Sequence, residues 1–297
     1  MICIVSHDAG GAEILASYVA QRRLDCMFVL EGPAVKVFER RVGSIGLSVL
    51  DAAVAKCDWL LCGTSWQSDI EWRALGMGHR CGKRTVAFLD HWGHYRERFI
   101  RQGQERLPDE IWVGDVLAEA RARECFPKGH ISFIPNPYFE DLKRDLAAAE
   151  RPRPVASTHG LNVLFVSEPL REHGLREYGN ERHWGYTEEE ALRYFMAHLH
   201  ILGGSIARIA IRPHPSEPLD KYDWVRQEYK SPIVNGGIRT LLEEIVESDV
   251  VVGFESMAMV VGLLAGKRVI SCIPPGGKAC ALPQSDIEHL QRIAMKP

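Results

Sequence analysis

Short, continuously apolar runs alternate with amphipathic helical patterns along most of this chain. Because strand–helix–strand connections are right-handed, the alternation predicts α/β domains built on mostly parallel sheets. The runs are apolar throughout instead of at every second residue, which predicts sheets covered by helices on both faces. In the first half, the predicted strands cover residues 2–6, 26–30, 47–50, 59–65, 85–90, 110–114 and 131–137.

The second half repeats the same design after a change in composition. Its predicted strands cover residues 162–169, 208–215, 249–256 and 268–273. Thr187 and Glu190 have the spacing of a capping box, which predicts a helix start there. The intervening segment 171–185 is predicted to be a loop.

A length of 297 residues suits two domains of about 150 residues each. The chain is charged after Asp141 and then rich in Pro, Ala and Ser before Gly160, which predicts a linker. We therefore expect domains at residues 1–145 and 158–297. The predicted fold class is α/β, with two Rossmann-like doubly wound domains facing each other across a cleft.

Composition narrows the class of protein. A net charge of −3 offers no case for nucleic acid as a partner. Eight cysteines without a CxxC pair are typical of free thiols in a reducing cytoplasm. The N-terminus enters a strand directly, so no signal peptide is expected, and the longest apolar stretch, 257–265, is too short to span a bilayer. We expect a cytoplasmic protein, with peripheral attachment to the inner membrane face left open.

Polar side chains follow six of the predicted strands. In open parallel sheets, ligands bind beyond the carboxyl ends of the strands. The polar segments begin at His7, Gly63, Asp90, Ser167, Arg212 and Gly253. Six such ends at one kind of sheet edge predict a binding site there.

The RPHP segment holds a cation and an imidazole between two prolines, which end the strand and limit the backbone. Arg212 offers a planar fork of donors and His214 a ring N–H, so both suit a phosphate or pyrophosphate. The alternative is a packed histidine beside a surface ion pair with Glu217.

The GFES segment precedes a predicted helix whose first N–H groups suit a phosphate. Ser256 adds a hydroxyl, and Glu255 suits ribose hydroxyls. The alternative is that Ser256 only caps the helix.

The SHDAGG segment follows the first strand. Gly10 and Gly11 allow backbone to approach a nucleotide or sugar closely, and Asp8, or alternatively His7, suits a general base. The alternative is a tight turn in which Asp8 caps the helix.

Further along, Asp90, His91 and His94 suit acceptor binding better than a metal. No DxD, GxSxG, HExxH or P-loop lysine is present, which disfavours metal-clamped donor, hydrolase, metalloprotease and ATPase sites, and no metal is predicted.

Two regions resemble GT-B glycosyltransferases. Residues 107–142, including the IPNP step, are similar to the end of GT-B N-terminal domains. Residues 212–218 and 247–270 resemble the His-Pro and Ser motifs of bacterial capsule and wall polymer transferases: the polysialyltransferases, Kdo transferases and CDP-glycerol glycerophosphotransferases. The sialyl-type acidic-acidic-Gly motif is not matched, because HDAGG offers one carboxylate.

The resemblance implies an N-terminal acceptor domain, a C-terminal nucleotide-donor domain and no metal or other cofactor besides the nucleotide-activated sugar. It places His214 and Ser256 on the donor phosphate and Asp8 in the acid or base position. The predicted function is glycosyl transfer from a nucleotide sugar to a glycan or lipid-linked acceptor in bacterial surface polysaccharide synthesis. One alternative is an epimerase or hydrolase of the same build, using Glu13, Asp90 and Glu168. Another is a non-catalytic nucleotide- or glycan-binding subunit.

Overall fold

The computed structural model of the protein describes residues 1–66, 68–149 and 160–295. The chain divides into two compact units, Met1–Asp141 and Leu142–Pro297. Much of the predicted linker, residues 150–159, lies outside the described residues. The part before it belongs to a helix, Pro137–Ala149, and the boundary between the units falls inside that helix.

The first unit is built on a six-stranded, all-parallel sheet. Its strands are β1 (Ile2–Ser6), β2 (Cys26–Leu30), β3 (Trp59–Cys62), β4 (Arg84–Leu89), β7 (Glu110–Val113) and β8 (Ile131–Phe133), and a separate antiparallel hairpin joins β5 (Ile100–Arg101) to β6 (Gln104–Glu105). The sheet order is β2-β1-β3-β4-β7-β8. Strand order reverses between β1 and β3, which makes their carboxyl ends the expected ligand position of this sheet.

Helices connect these strands, and their apolar sides bury the sheet. They are α1 (Ala9–Arg22), α2 (Pro33–Val42), α3 (Leu50–Lys56), α4 (Ile70–Arg80) and α5 (Val116–Cys125), and α6 (Pro137–Ala149) follows the last strand. Leu15 on α1 and Phe38 on α2 are fully buried in one cluster with Ile4 of β1 and Phe88 of β4. This packing holds the start of α1 at the end of β1.

The second unit also has a six-stranded parallel sheet. Its strands are β9 (Leu161–Val166), β10 (Ile206–Arg212), β11 (Ile233–Asn235), β12 (Val250–Gly253), β13 (Arg268–Ser271) and β14 (Ile287–His289). The order β11-β10-β9-β12-β13-β14 is the strand order of a dinucleotide-binding Rossmann sheet. The reversal lies between β9 and β12.

The helices of the second unit follow the same logic. They are α7 (Leu170–Tyr178), α8 (Glu188–Ala197), α9 (Val225–Glu228), α10 (Leu241–Glu247), α11 (Met257–Leu264) and α12 (Leu290–Ala294). The predicted capping box at Thr187 and Glu190 is confirmed at the start of α8. Phe165 of β9 is fully buried and packs against Phe195 of α8 with tilted rings. It also meets Phe254, just after β12, edge-on, which fixes the ends of β9 and β12 against each other.

Two sequence predictions of local structure are wrong. Residues 47–50 contribute one bridge, from Leu47 to Phe28, and Leu50 already begins α3. Residues 171–185 are not a loop throughout, because α7 runs to Tyr178. Its polar sequence buries only Leu170 and Gly174, so it lacks the apolar stripe by which a helix is recognised. In the part of the chain that the structure describes, no helix is long and apolar enough to cross a membrane.

Candidate functional site

Both points of strand reversal carry polar residues at the carboxyl ends of their strands. In register, Ile211, Phe165 and Val252 lie side by side on β10, β9 and β12, so the loops that follow them leave the sheet at one level. The residues at these ends are His7, Asp8 and Thr64 in the first unit, and Glu168, His214, Glu255 and Ser256 in the second. Each unit thus has a polar edge where ligands bind in doubly wound sheets.

His7 and Asp8 form a hydrogen-bonded pair at the end of β1. Asp8 is the N-cap residue of α1, yet its side chain makes no capping bond. Its Oδ1 accepts from the His7 imidazole Nδ1 at 2.7 Å, and its Oδ2 accepts from the backbone N–H of Trp66 at 2.8 Å. A carboxylate on Nδ1 leaves Nε2 as the imidazole nitrogen that takes up a proton. Nε2 faces Gly32, where a Cβ would lie 2.6 Å away.

Gly10 and Gly11 sit in the first turn of α1, where other loops approach closely. A Cβ on Gly10 would lie 2.5 Å from Oδ2 of Asp90, and one on Gly11 would lie 3.4 Å from Cα of Gly63. Asp90 is held by Arg98, whose guanidinium donates to Oδ1 at 2.6 Å and whose side chain is only 7% exposed. The absent side chain at Gly10 therefore admits the Asp90 carboxylate, and contact of either glycine with a ligand stays a prediction.

Glu71 is a buried carboxyl group behind His7 that the sequence analysis missed. Its Oε1 accepts from the backbone N–H of His7 at 2.9 Å, while its Oε2 is buried and has no hydrogen-bond partner in the part of the chain that the structure describes. Burial raises the pKa of Glu71 to about 7, although the His7 amide opposes this. Glu71 sits on α4, away from any strand end in the sequence, so no motif indicates it.

Glu168 and Ser256 meet at the strand reversal of the second unit. Glu168 Oε1 accepts from the backbone N–H of Glu255 at 3.0 Å, and the Ser256 and Phe254 amides also bond to this carboxyl. Ser256 is the N-cap residue of α11, but its side chain caps nothing. Its hydroxyl oxygen is buried with no hydrogen-bond partner among the described residues. A buried hydroxyl with a hydrogen bond to give, beside the N-terminus of a helix, suits the binding of an anion.

Glu255 is engaged with its own unit. Its Oε2 accepts from the backbone N–H of Ala281 at 2.9 Å, which ties the segment after β13 to the start of α11. A hydrogen bond from a ribose hydroxyl to Glu255 therefore stays a prediction. Because Ala281 occupies Oε2, such a bond would use Oε1.

The contacts of His214 define which nitrogen of its ring carries the proton. Its backbone N–H donates to Oε2 of Glu217 at 2.8 Å, and its ring Nδ1 lies 2.8 Å from the Ser216 hydroxyl and 3.2 Å from the Ser216 backbone N–H. Because a backbone N–H only donates, Nδ1 is an acceptor and the proton of the neutral ring is on Nε2. Burial lowers the pKa of His214, against the nearby Glu217 carboxylate, so the ring is neutral near pH 7. The Glu217 carboxylate is buried, unlike the surface ion pair of the alternative interpretation.

Arg212 has protein partners. Its guanidinium donates to Oε2 of Glu244 at 2.7 Å and to the carbonyl oxygen of Arg239 at 2.9 Å. Glu244 also accepts the backbone N–H of Gly237 at 2.7 Å through its other oxygen. Arg212 thus fixes the loop after β11, and its predicted phosphate contact stays a prediction.

The other candidate residues are dispersed. Glu13 pairs with Arg40 and Arg41 on α2, His91 packs against Trp92, and His94 lies edge-on to Trp66 with ring centroids 5.4 Å apart. Over residues 1–66, 68–149 and 160–295, no cluster of three or more His, Cys, Asp or Glu is placed to hold a metal ion.

We expect the stability of the second unit to depend on pH through Glu168. Burial raises its folded-state pKa from 4.5 to about 7. The folded state therefore binds the Glu168 proton more tightly, and this stabilisation is present below pH 4.5 and lost as pH rises to 7. Relative to Glu168→Gln, the free energy of unfolding of the wild type should fall by on the order of 3 kcal/mol between pH 4 and pH 8.

Urea unfolding at both pH values measures this difference. Glu172→Gln, an exposed change in the first turn of α7, is the control and should leave the pH dependence unchanged. Equal pH dependence in the wild type and Glu168→Gln would show that Glu168 titrates normally.

Comparison of the sequence with models of known protein families finds no match, and no curated protein matches it either. Solved structures do match the fold. MurG of Acinetobacter baumannii is 12% identical over 99% of this chain and 81% of its own, with a TM-score of 0.50. The UDP-GlcNAc 2-epimerase of Methanocaldococcus jannaschii is 11% identical over 91% of this chain and 83% of its own, with a TM-score of 0.58.

A third similar structure is the glycotransferase of kitacinnamycin, 12% identical over 91% of this chain and 79% of its own, with a TM-score of 0.53. At such identities the likeness concerns the fold alone. Together with the two parallel sheets, it confirms the predicted α/β class: the chain is an α/β protein of two Rossmann-like units.

Proposed function

We propose that this protein is a glycosyltransferase that moves a sugar-like group from a nucleotide-activated donor to a hydroxyl of a glycan or lipid-linked acceptor. The observation that carries the proposal is the buried Ser256 hydroxyl at the start of α11, for which the described residues offer no hydrogen-bond partner. It lies at the strand reversal of a sheet with dinucleotide-binding strand order, where a helix N-terminus binds a phosphate.

The second unit would hold the donor. Ser256 and the first amides of α11 would donate to one phosphate, and the neutral His214 would donate through Nε2–H. These donors stabilise the charge that develops on the leaving phosphate when the bond to the sugar breaks. Glu255 would accept from a ribose hydroxyl through Oε1. Arg212, held by Glu244, would support the loop beside this site without needing to reach the phosphate itself.

The first unit would supply the base. His7 Nε2 would take the proton of the acceptor hydroxyl while the hydroxyl oxygen forms the new bond to the sugar. Asp8 would hold the imidazole in place and stabilise the positive charge that the imidazole gains. This reverses the order of preference from the sequence, because both Asp8 oxygens are occupied by donors. Gly10 and Gly11 would bring the backbone close to the acceptor.

The acceptor is proposed to belong to a bacterial surface polysaccharide such as a capsule, as the RPHP and GFES motifs suggest. Its synthesis on a lipid carrier would place the enzyme in the cytoplasm, peripherally at the inner membrane face. The nucleotide sugar would be the only co-substrate, and no metal is required by the proposed roles.

A second candidate function is epimerisation or hydrolysis of a nucleotide sugar. It is favoured by the fold likeness to the archaeal epimerase, at a TM-score of 0.58, and by the buried carboxyl group of Glu168 at the same edge. Conversion of the nucleotide sugar without any acceptor would distinguish this activity from transfer.

A thermal-shift panel of CMP, CDP, UDP, GDP and ADP tests the donor site. We expect the nucleotide with one of these bases to raise the melting temperature, since a ligand at a hundred times its Kd stabilises the folded protein by about 2.7 kcal/mol. That nucleotide then selects the sugar donors to assay with and without glycan acceptors. Stabilisation without turnover would support a binding subunit, and no shift with any nucleotide would contradict the proposed function.

A further inference from the structure

Lys221 is a half-buried cation that the proposed chemistry does not use. Its ammonium donates to Glu188 and Glu217, whose side chains are 0% and 3% exposed. A third carboxylate, that of Glu189, lies 3.9 Å away. Carboxylates this deeply buried are costly unless a cation pairs with them, so Lys221 is what keeps both in place.

Each of the two carboxylates also holds a backbone N–H with its other oxygen. Glu217 Oε2 accepts from His214 at 2.8 Å, and Glu188 Oε2 accepts from Arg171 at 2.8 Å. Arg171 is in the first turn of α7, directly after the loop that carries Glu168. Lys221 therefore joins the RPHP loop to the loop at the strand reversal.

The neighbouring residue strengthens the same junction. The Tyr222 hydroxyl is hydrogen-bonded to the Ser167 hydroxyl, and both residues are buried. The Ser167 backbone N–H donates to the carbonyl oxygen of Arg212 at 2.9 Å. The loops after β9 and β10 thus behave as one connected piece, with Lys221 at its charged centre.

We propose that Lys221 is a positioning residue for the donor phosphate: by holding Glu217 it fixes the backbone of His214, and so the direction of the Nε2–H donor. The proposal rests on the proposed function for its ligand, but the arrangement of His214 itself can be observed without one. Without Lys221, Glu188 and Glu217 would repel each other, and Glu217 would move toward water and release the His214 amide.

The test compares Lys221→Met with the wild type by two readouts. Long-range ¹H–¹⁵N spectra report the His214 ring, whose signals are assigned by their loss in His214→Ala; we expect them to shift in Lys221→Met. The Kd of the nucleotide selected by the thermal-shift panel should rise roughly tenfold. In a His214→Ala background, Lys221→Met should change the Kd less than about twofold, because its effect passes through His214.

Three further variants keep the test decisive. Arg226→Met removes the exposed pair with Asp223 a few residues away and should leave both readouts unchanged. Lys221→Arg should restore much of the affinity. If Lys221→Met does not fold, Lys221→Met with Glu188→Gln removes one charge of each sign; the His214 signals should still shift, because the buried Glu217 carboxylate has lost its cation.

Unmoved His214 signals in folded Lys221→Met would overturn the proposal, and so would an equal loss of affinity with and without His214. If no nucleotide binds the wild type, the proposed function fails, while the His214 spectra still decide whether Lys221 positions the imidazole.

Discussion

Replacing His7 with alanine is expected to lower the rate of glycosyl transfer by about 10²–10⁴-fold, the usual contribution of a general base. The reason is the geometry at the end of β1, where Asp8 accepts from Nδ1 of His7. In the proposed mechanism, Nε2 is therefore the nitrogen that receives the acceptor proton. Nucleotide affinity should be unchanged, because His7 belongs to the first unit and the proposed donor site to the second. Transfer rates at saturating donor, with a parallel Kd, measure both quantities.

Asp8→Asn separates the two candidate bases. If Asp8 only orients His7, the amide keeps an acceptor oxygen for one of its two donors, and the rate should fall by less than in His7→Ala. His130→Ala, an exposed histidine of the same unit, is the control and should transfer at the wild-type rate. An active His7→Ala variant together with an inactive Asp8→Asn variant would show that Asp8 is the general base, as the sequence first indicated.

Replacing His214 with alanine is expected to raise the Kd of the nucleotide by about 10- to 100-fold, the cost of losing one hydrogen bond to a charged group. The neutral ring donates through Nε2–H, because Nδ1 accepts from Ser216 and burial lowers the pKa. The alanine leaves the Glu217 bond to the backbone N–H intact, so the loss is that of the ring alone. Isothermal titration of both proteins with the selected nucleotide gives the ratio.

His289→Ala is the matched control. His289 lies at the end of β14 in the same unit, and burial also lowers its pKa, but it is separated from β12 by the whole of β13 in the sheet. Its replacement should leave the Kd unchanged. Equal nucleotide affinity in His214→Ala and the wild type would contradict the proposal that the RPHP loop binds the phosphate.

The elements that sequence analysis predicted well are those with long apolar runs. β1, β4, β9 and β12 bury most of their side chains, and each contains an unbroken apolar run of at least three residues that carries its own signal. The three-residue β14 has no such run, and it forms because β13 offers an unpaired edge. α7 is similarly decided by its neighbours, since only two of its residues are buried.

The candidate site divides in the same way. Which residues end the strands could be seen in the sequence, because a parallel sheet sends all its carboxyl ends to one edge. Partners could not be seen: Glu71 reaches His7 across 64 positions, and Arg212 reaches Glu244 across 32. Such contacts depend on how helices pack onto the sheet, which no local pattern encodes.

The sequence by itself determined the α/β class, the Rossmann-like design of each half and the polar ends at which ligands are expected, since periodicity and strand termination are local properties. Only the tertiary structure decided what those polar residues do. It turned Asp8 toward His7 instead of the helix, joined Arg212 to Glu244, and left the Ser256 hydroxyl without a partner among the residues that the structure describes. The physical reason is that a side chain's charge state and orientation follow from the groups packed around it, and these come from distant parts of the chain.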